Sequence, residues 1–283
     1  MKTILVPCDF SKPSINAFRF ALDIAKMSKG TIHLLNVVEL PIMHDSMLMP
    51  VLSFEQQLLK ELKEGSNSEF EKLTTKYTKE KIKVITKVDF GSPSYIINTY
   101  AKKIKADLIL MGSHGATGAR EYFVGSNAEK IIRYSKVPVL ILKDYYKGPI
   151  KHIVFPNTLD TENQEDLVMN IKALQNFFKA TLHIVWVNTP VNFTNDSKTQ
   201  NRLEDFAKRY MFKNFTINIY NHFDTDEGIR EFSDSIKANM IAMGTHGRKG
   251  ISHLVLGSLA ESIANHYKGL IWTYALKNDV VQV

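Results

Sequence analysis

The 283-residue sequence predicts an α/β protein made of two repeated, doubly wound domains. Short runs rich in valine, isoleucine and leucine alternate with longer amphipathic stretches, the pattern of a parallel sheet covered by helices on both faces. The same order of segments occurs twice along the chain. Each copy also contains a Gly-x-x-Gly pattern that is followed, after nine residues, by Gly-Ser.

Matching segments relate the two halves of the chain. They are residues 4–7 with 153–156, 29–35 with 179–185, and 105–111 with 237–243. The offset falls from 150 at the second pair to 132 at the third, so the second half has lost residues in its middle, opposite the stretch 39–81. Each repeat is large enough to bury a core. We therefore expect one domain at residues 1–145 and another at 150–277, with the boundary in the turn-like segment 144–149.

The elements of the first half follow from its periodicities. Apolar runs of strand length occur at residues 3–6, 31–38, 83–89, 108–112 and 137–142. Helical spacing occurs at residues 14–29, 53–79, 94–104 and 126–135, and several of these stretches open with a serine that can cap a helix. Because strands and helices alternate, right-handed crossovers should make each sheet five-stranded and parallel.

The expected strand order, 3-2-1-4-5, predicts where a ligand would bind. In doubly wound sheets the site lies beyond the carboxyl ends of the strands, where the strand order switches. Here the switch falls between strands one and four. Asp9 follows strand one and Gly112 ends strand four, so we expect these two residues to lie side by side.

The repeated glycine pattern is typical of a phosphate-binding loop between a strand and a helix. It comprises Gly112, Gly115, Gly125 and Ser126 in the first half, and Gly244, Gly247, Gly257 and Ser258 in the second. Glycines let the backbone approach an anion closely, and the helix that follows offers unpaired amides. A single copy is as typical of a tight turn with a helix cap, but two copies with identical spacing favour the phosphate site.

Three segments together resemble the universal stress protein family. They are Val-Pro-Cys-Asp-Phe-Ser at residues 6–11, the glycine pattern, and Lys-Val-Pro-Val-Leu-Ile-Leu at residues 136–142. The whole chain resembles a tandem member of the ATP-binding type. The resemblance implies that Asp9 lies beside the nucleotide, that Val37 lies near adenine, and that the glycines with Ser126 hold the phosphates. It also implies ATP as the ligand, accompanied by magnesium that the phosphates would mostly hold.

The second half departs from the family pattern. Asn157 is taken as the counterpart of Asp9, and an asparagine cannot carry the charge of a carboxylate. Arg248 and Lys249 follow the second Gly-x-x-Gly, where the first half has Ala116 and Thr117. A lost nucleotide site, a retained one, and a site for another phosphate-bearing ligand therefore all stay open for this half.

Composition and charge limit the classes of binding partner and the cellular compartment that we expect for this protein. The formal charge is +7, but the sequence contains neither a lysine-arginine block nor an RNA-binding aromatic motif, so we expect no nucleic-acid partner. No apolar run approaches membrane-spanning length, which favours a cytoplasmic protein without membrane contact. The single cysteine, Cys8, cannot form an internal disulfide and is expected in the core; redox sensing is the alternative.

The family resemblance also implies an arrangement of the halves. Family members often pair through the last strand, and here residues 137–142 could pair with 270–275 within one chain. That pairing would make the chain an intrachain pseudo-dimer, and whether whole chains also form a homodimer stays open.

Two functional classes fit the sequence. The first is a nucleotide-binding stress or signalling module without efficient catalysis. The second is an enzyme of the same α/β class that hydrolyses ATP or transfers adenylate. Chemistry on phosphate normally needs a positioned base, cationic stabilisation and a metal. The first loop has no Walker lysine, and Asp9 is the single strongly placed acid, which favours binding over catalysis.

Overall fold

A computed structural model describes residues 1–39, 51–78, 81–113, 124–158, 164–245 and 253–276; the side chains of 51–55 and 253–258 lie outside the description. The elements of the first half are β1 (Thr3–Pro7), α1 (Lys12–Ser28), β2 (Thr31–Val38), α2 (Val51–Tyr77), β3 (Lys83–Phe90), α3 (Pro93–Lys103), β4 (Leu108–Gly112), α4 (Ser126–Tyr134) and β5 (Val139–Leu142). Those of the second half are β6 (His152–Pro156), α5 (Glu165–Phe178), β7 (Thr181–Asn188), α6 (Asp196–Arg209), β8 (Phe215–Asn221), α7 (Thr225–Ser235), β9 (Met240–Gly244), α8 (His253–His266) and β10 (Leu270–Tyr274).

The strands form one continuous sheet in the order β3-β2-β1-β4-β5-β10-β9-β6-β7-β8. Within each half the strands are parallel, and both halves have the order 3-2-1-4-5, which confirms the predicted fold class. The last strands of the halves pair antiparallel, with Ile141 opposite Ile271. The strands of the two halves therefore run in opposite directions, and their carboxyl ends lie on opposite sides of the sheet.

The second half is shorter at the place that the sequence offsets predict. Forty-four residues separate β2 from β3, and 26 separate β7 from β8, a difference of 18 that equals the fall in offset from 150 to 132. The connecting helix shortens accordingly, from 27 residues in α2 to 14 in α6.

Local capping sets where α1 begins and ends. Ser11 is its N-cap and accepts a hydrogen bond from the backbone N–H of Ser14, while Pro13 occupies the first turn. Proline is tolerated there because the first amides of a helix have no intrahelical acceptor. The helix ends at Lys29, which adopts a left-handed conformation with φ of 51°. The helix predicted from Ser14 therefore starts two residues earlier, and Ser11 rather than Ser14 caps it.

The core lies on both faces of the sheet. On one face the strands pack against α1, α2, α5 and α6, and on the other against α3, α4, α7 and α8. Both layers continue across the junction of the halves, since Leu140 and Trp272 belong to the first layer and Ile141 and Ile271 to the second. Each such side chain contributes about 1.5–3 kcal/mol when fully buried. Within the described segments, no helix has the length and apolarity that a bilayer crossing requires.

Candidate functional site

A cleft of about 320 Å³ opens at the carboxyl edge of the first half, where β1 and β4 are neighbours. Its lining includes five of the six residues predicted for this half: Asp9, Val37, Gly112, Gly125 and Ser126. The sixth, Gly115, lies outside the described residues. The fold therefore brings side by side residues that are more than 100 positions apart in the sequence, and Asp9 lines the same cleft as Gly112.

Asp9 presents its carboxylate at the rim of the cleft. The residue is exposed, and its Oδ1 accepts hydrogen bonds from the Ser11 backbone N–H at 3.1 Å and from Ser11 Oγ at 2.5 Å. Ser11 is also the N-cap of α1, so the carboxylate lies near the positive end of that helix dipole, which stabilises a negative charge. The arrangement holds a hydrogen-bond acceptor in a fixed position beside the cleft.

The residues behind Asp9 anchor the end of β1. The backbone N–H of Cys8 donates to the carbonyl of Leu35 at 2.8 Å. Asn36 Nδ2 donates to the carbonyl of Cys8 at 2.8 Å, and Ser66 Oγ on α2 donates to Asn36 Oδ1 at 3.0 Å. These bonds tie β1, β2 and α2 together directly below the rim. Sequence reasoning missed Asn36, although a polar residue within an otherwise apolar strand was a usable signal.

The Cys8 thiol is shielded from solvent. The residue is 4% exposed, and its sulfur lies 3.5 Å from Ser14 Oγ. Burial raises the pKa of the thiol to about 11, because a thiolate would lose its hydration in the protein interior. Cys8 is therefore a protonated core residue at neutral pH.

Gly112 is constrained by its neighbour in α1. A Cβ at this position would lie 2.6 Å from the Cβ and 2.7 Å from the carbonyl carbon of Pro13. Backbone atoms cannot move aside easily, so α1 packs against β4 only if residue 112 has no side chain. Close helix packing is thus a second reason for this glycine, besides the approach of an anion that the motif predicts.

The first turn of α4 forms one wall of the cleft. Gly125 is the N-cap, with φ of −65° and ψ of 150°, and its N–H donates to the carbonyl of Ser113 at 2.7 Å. Ser126, Asn127 and Ala128 follow and also line the cleft. The first amides of a helix lack intrahelical acceptors and carry the positive end of the dipole, so this wall suits an anion.

The opposite part of the cleft is mostly apolar. Its walls are formed by Leu35 and Val37 from β2, Pro93 and Ile97 from α3, and Met111 from β4. Glu39 adds a second carboxylate at the exposed end of β2. Sequence reasoning found Val37 alone in this wall. Among the described residues, no three His, Cys, Asp or Glu side chains gather as they would around a metal ion.

The structure corrects the predicted counterpart of Asp9 in the second half. The N–H of Asn157 donates to the carbonyl of Val185 just as that of Cys8 donates to Leu35, and both residues are buried. Asn157 therefore corresponds to Cys8, and Thr158 corresponds to Asp9. The prediction was wrong by one residue. The two halves are offset by 149 residues at the end of β1, as Pro7 and Pro156, which end β1 and β6, show.

The strand end that corresponds to Val37 is covered in the second half. Val187 and Thr189 are 7% and 3% exposed, whereas Val37 is half-buried and Glu39 is exposed. The chain after β7 folds back onto the strand, since the Thr194 N–H donates to Asn188 Oδ1 at 2.9 Å. This half therefore presents less open surface where the first half has its apolar wall.

In the second half, the Gly-Ser of the glycine pattern lies inside the following helix and not at its start. Gly257 and Ser258 were predicted at the start of the helix, but α8 begins at His253, so both residues lie within it. Amides inside a helix donate to the carbonyl four residues earlier and are not available to a ligand. Gly244 ends β9, where a Cβ would lie 3.0 Å from Leu167 Cδ2. Gly247 lies outside the described residues.

Comparison with known proteins identifies the family. The family model of the universal stress proteins matches residues 1–143 and 219–269, more than half of the chain. The chain belongs to the universal stress protein family. One curated relative, a universal stress protein of Methanocaldococcus jannaschii, is 32% identical over 142 residues, which are 50% of this chain and 82% of that protein. A second universal stress protein of the same organism is 29% identical over 153 residues, covering 50% of this chain and 94% of its own length.

Solved structures extend the likeness to both halves. The crystal structure of a universal stress protein from Archaeoglobus fulgidus covers 96% of this chain and 98% of its own, with a TM-score of 0.75 and 20% sequence identity. At that identity the match establishes the fold alone. This universal stress protein therefore shares its whole two-half architecture with a solved relative.

Proposed function

We propose that the first half of this universal stress protein is an ATP-binding module that acts in a cytoplasmic stress response or in signalling, without efficient catalysis. The observation that carries the proposal is the cleft at the switch in strand order, because it combines an apolar wall, a helix N-terminus and a fixed carboxylate. A volume of about 320 Å³ falls within the range of small-molecule sites.

Each wall suits a different part of the nucleotide. The first turn of α4, with Ser126 and Asn127, offers amides and a positive dipole to the phosphates, and Gly125 precedes it as the N-cap. The apolar wall around Val37 and Ile97 suits the faces of adenine. Asp9 accepts hydrogen bonds but cannot donate them when ionised, so its partner is a hydroxyl or amino group rather than a phosphate. Magnesium would accompany ATP and be held mostly by phosphate oxygens.

The differences between the halves favour one nucleotide per chain. In the second half the strand end beside Val187 is covered, and the helix that carries Gly257 and Ser258 begins before them. Thr158 stands in place of Asp9 and cannot supply a carboxylate. We therefore propose Asn157, Gly244, Gly247, Gly257 and Ser258 as remnants of the repeat rather than as a second ATP site.

The lining of the cleft favours binding over phosphoryl chemistry. Its described residues include two carboxylates, Asp9 and Glu39, but no lysine, arginine or histidine. Transfer of a phosphoryl group depends on positive charge that stabilises the transition state. The competing proposal is a slow ATP hydrolase or adenylate-transferring enzyme. We expect turnover several orders of magnitude below the 1 per second that marks the lower range of typical enzymes.

Titration of ATP into matched variants tests the site. We expect Asp9→Ala to weaken ATP binding at least tenfold, which corresponds to the loss of a charge-assisted hydrogen bond, about 1.5–3 kcal/mol. Thr158→Ala, the equivalent change in the second half, should leave the affinity within twofold. Isothermal titration calorimetry gives both affinities. Equal effects of the two substitutions would overturn the assignment of the site to the first half.

A phosphate-release assay with magnesium separates the module from the enzyme. The module is expected to release almost no phosphate during an incubation in which an enzyme would complete many turnovers. Rapid magnesium-dependent release that disappears in Asp9→Ala would instead support the hydrolase.

We further propose that the chain is an intrachain pseudo-dimer of domains 1–145 and 150–277. The antiparallel pairing of β5 with β10 supports this view, because it occupies the edge strand that a second chain would otherwise use. Sedimentation of the purified chain as a monomer is the expected result, and a dimer in which β5 of one chain pairs with β10 of another would contradict the proposal.

A further inference from the structure

A residue of the second half contacts the segment that leads into the cleft of the first half. Asn265, near the end of α8, accepts a hydrogen bond through Oδ1 from the backbone N–H of Val124 at 2.7 Å. Val124 directly precedes Gly125, whose own N–H donates to Ser113 at 2.7 Å. Two consecutive amides are thus fixed immediately before the turn of α4 that lines the cleft, and one of them depends on the other half of the chain.

Asn265 is itself held in place by the first half. Lys143, just after β5, donates from Nζ to the backbone carbonyl of Asn265. The last carbonyls of a helix have no intrahelical donor, and a cation there also suits the helix dipole. The main chain of Asn265 is therefore anchored by Lys143 while its side chain anchors Val124.

A second link joins the same two helices. Arg133 on α4 lies 3.8 Å from Glu129 on its own helix and 3.8 Å from Glu261 on α8. Glu261 is one helical turn from Asn265, so the ion pair and the hydrogen bond occupy one face of α8. The contact surface of α4 and α8 thus ends at the rim of the cleft.

The second half supplies this hydrogen-bond acceptor to the first half, but the first half has no acceptor for the second at the equivalent position of the repeat. At the offset of 132, the counterpart of Asn265 in the first half is Arg133. A guanidinium has donors but no acceptor, so Arg133 cannot accept a hydrogen bond from a backbone N–H of the second half. It pairs with the two glutamates instead. Asn265 therefore accepts a hydrogen bond from the first half, and Arg133, its counterpart, cannot accept one from the second half.

We propose that Asn265 is a positioning residue for the nucleotide cleft, through which the second half sets how tightly the first half binds. This inference rests on the proposed ATP site. Without the bond from Val124, the start of α4 would have to be ordered when ATP binds, and ordering one residue costs enough to weaken binding about tenfold.

Variants of Asn265 in the full chain test the inference. Asn265→Leu keeps the size of the side chain and removes the acceptor, whereas Asn265→Asp keeps an acceptor oxygen. Glu261→Gln is the matched control, because it removes the ion pair on the same helix face. Two readouts are needed: ATP affinity by calorimetry, and hydrogen exchange of the peptide containing Val124 without ATP, which a general loss of stability would not change selectively.

We expect Asn265→Leu to weaken ATP binding about tenfold and to accelerate exchange at Val124. Asn265→Asp should stay within about twofold of the wild type in affinity and should preserve the protection of Val124, and Glu261→Gln should bind normally. If the leucine variant does not fold, Asn265→Ala, which adds no bulk, takes its place. Wild-type affinity in a variant whose Val124 amide exchanges faster would overturn this inference alone. An absence of ATP binding by the wild type would overturn the proposed function as well.

Discussion

Two adjacent residues at the end of β1 have opposite environments. Cys8 points into the core and is 4% exposed, while Asp9 is exposed and lies at the rim of the cleft. The sequence predicts this alternation, since successive side chains point to opposite sides as the strand ends. The counterpart of Asp9 in the second half was placed one residue too early. The buried Asn157 corresponds to Cys8, as the prolines that end β1 and β6 and the backbone hydrogen bonds of the residues after them both show.

The buried thiol gives a pH-dependent contribution to stability. Its pKa is about 11 in the folded protein, against 9.0 for an exposed thiol, so the unfolded chain loses this proton first as the pH rises. The stabilisation is therefore complete below pH 9 and is lost as the pH rises to 11. Relative to Cys8→Ala, the wild type should lose about 2 kcal/mol of unfolding free energy between pH 8 and pH 10.5. Urea unfolding of both proteins measures this difference, and a constant difference across the range would contradict the assignment.

At the scale of the elements, the apolar runs and the caps were sufficient to predict most of the fold. The strand predicted at 137–142 begins at Val139, two residues late, because Pro138 has no N–H for the sheet. The start of α8 could not be predicted from the glycine pattern. Leu254 and Leu256 precede Gly257, and leucine is a strong helix former, so the helix extends backwards past the glycine. Identical spacing of glycines therefore gave different backbones in the two halves.

The two glycines that end β4 and β9 should respond differently to substitution. Gly112→Ala places a Cβ against the backbone of Pro13, so we expect a loss of about 1–3 kcal/mol in unfolding free energy. Gly244→Ala meets the far end of the flexible Leu167 side chain at 3.0 Å and should cost less than about 1 kcal/mol. Denaturant unfolding of both variants provides the comparison. An equal or larger loss at Gly244 would show that packing of α1 does not require Gly112.

At the scale of the whole molecule, one ten-stranded sheet carries two halves that differ at the carboxyl ends of their strands. The halves share their strand order, but the described part of the chain retains an open cleft with a carboxylate and a helix N-terminus in the first half. The second half contributes through α8, whose Asn265 reaches Val124. The sequence predicted the repeat and five of the fifteen residues that line the cleft. It could not predict this contact, because the two residues are 141 positions apart and neither is a fixed position of a motif.

The number of ATP molecules bound per chain tests the central claim most directly. Native mass spectrometry of the full chain with increasing ATP and magnesium, combined with calorimetry, counts the occupied sites. We expect one ATP per chain, with an affinity at least tenfold weaker in Asp9→Ala and within twofold of the wild type in Thr158→Ala. Two equivalent sites per chain, or a single site whose affinity Asp9→Ala leaves unchanged, would contradict the central claim.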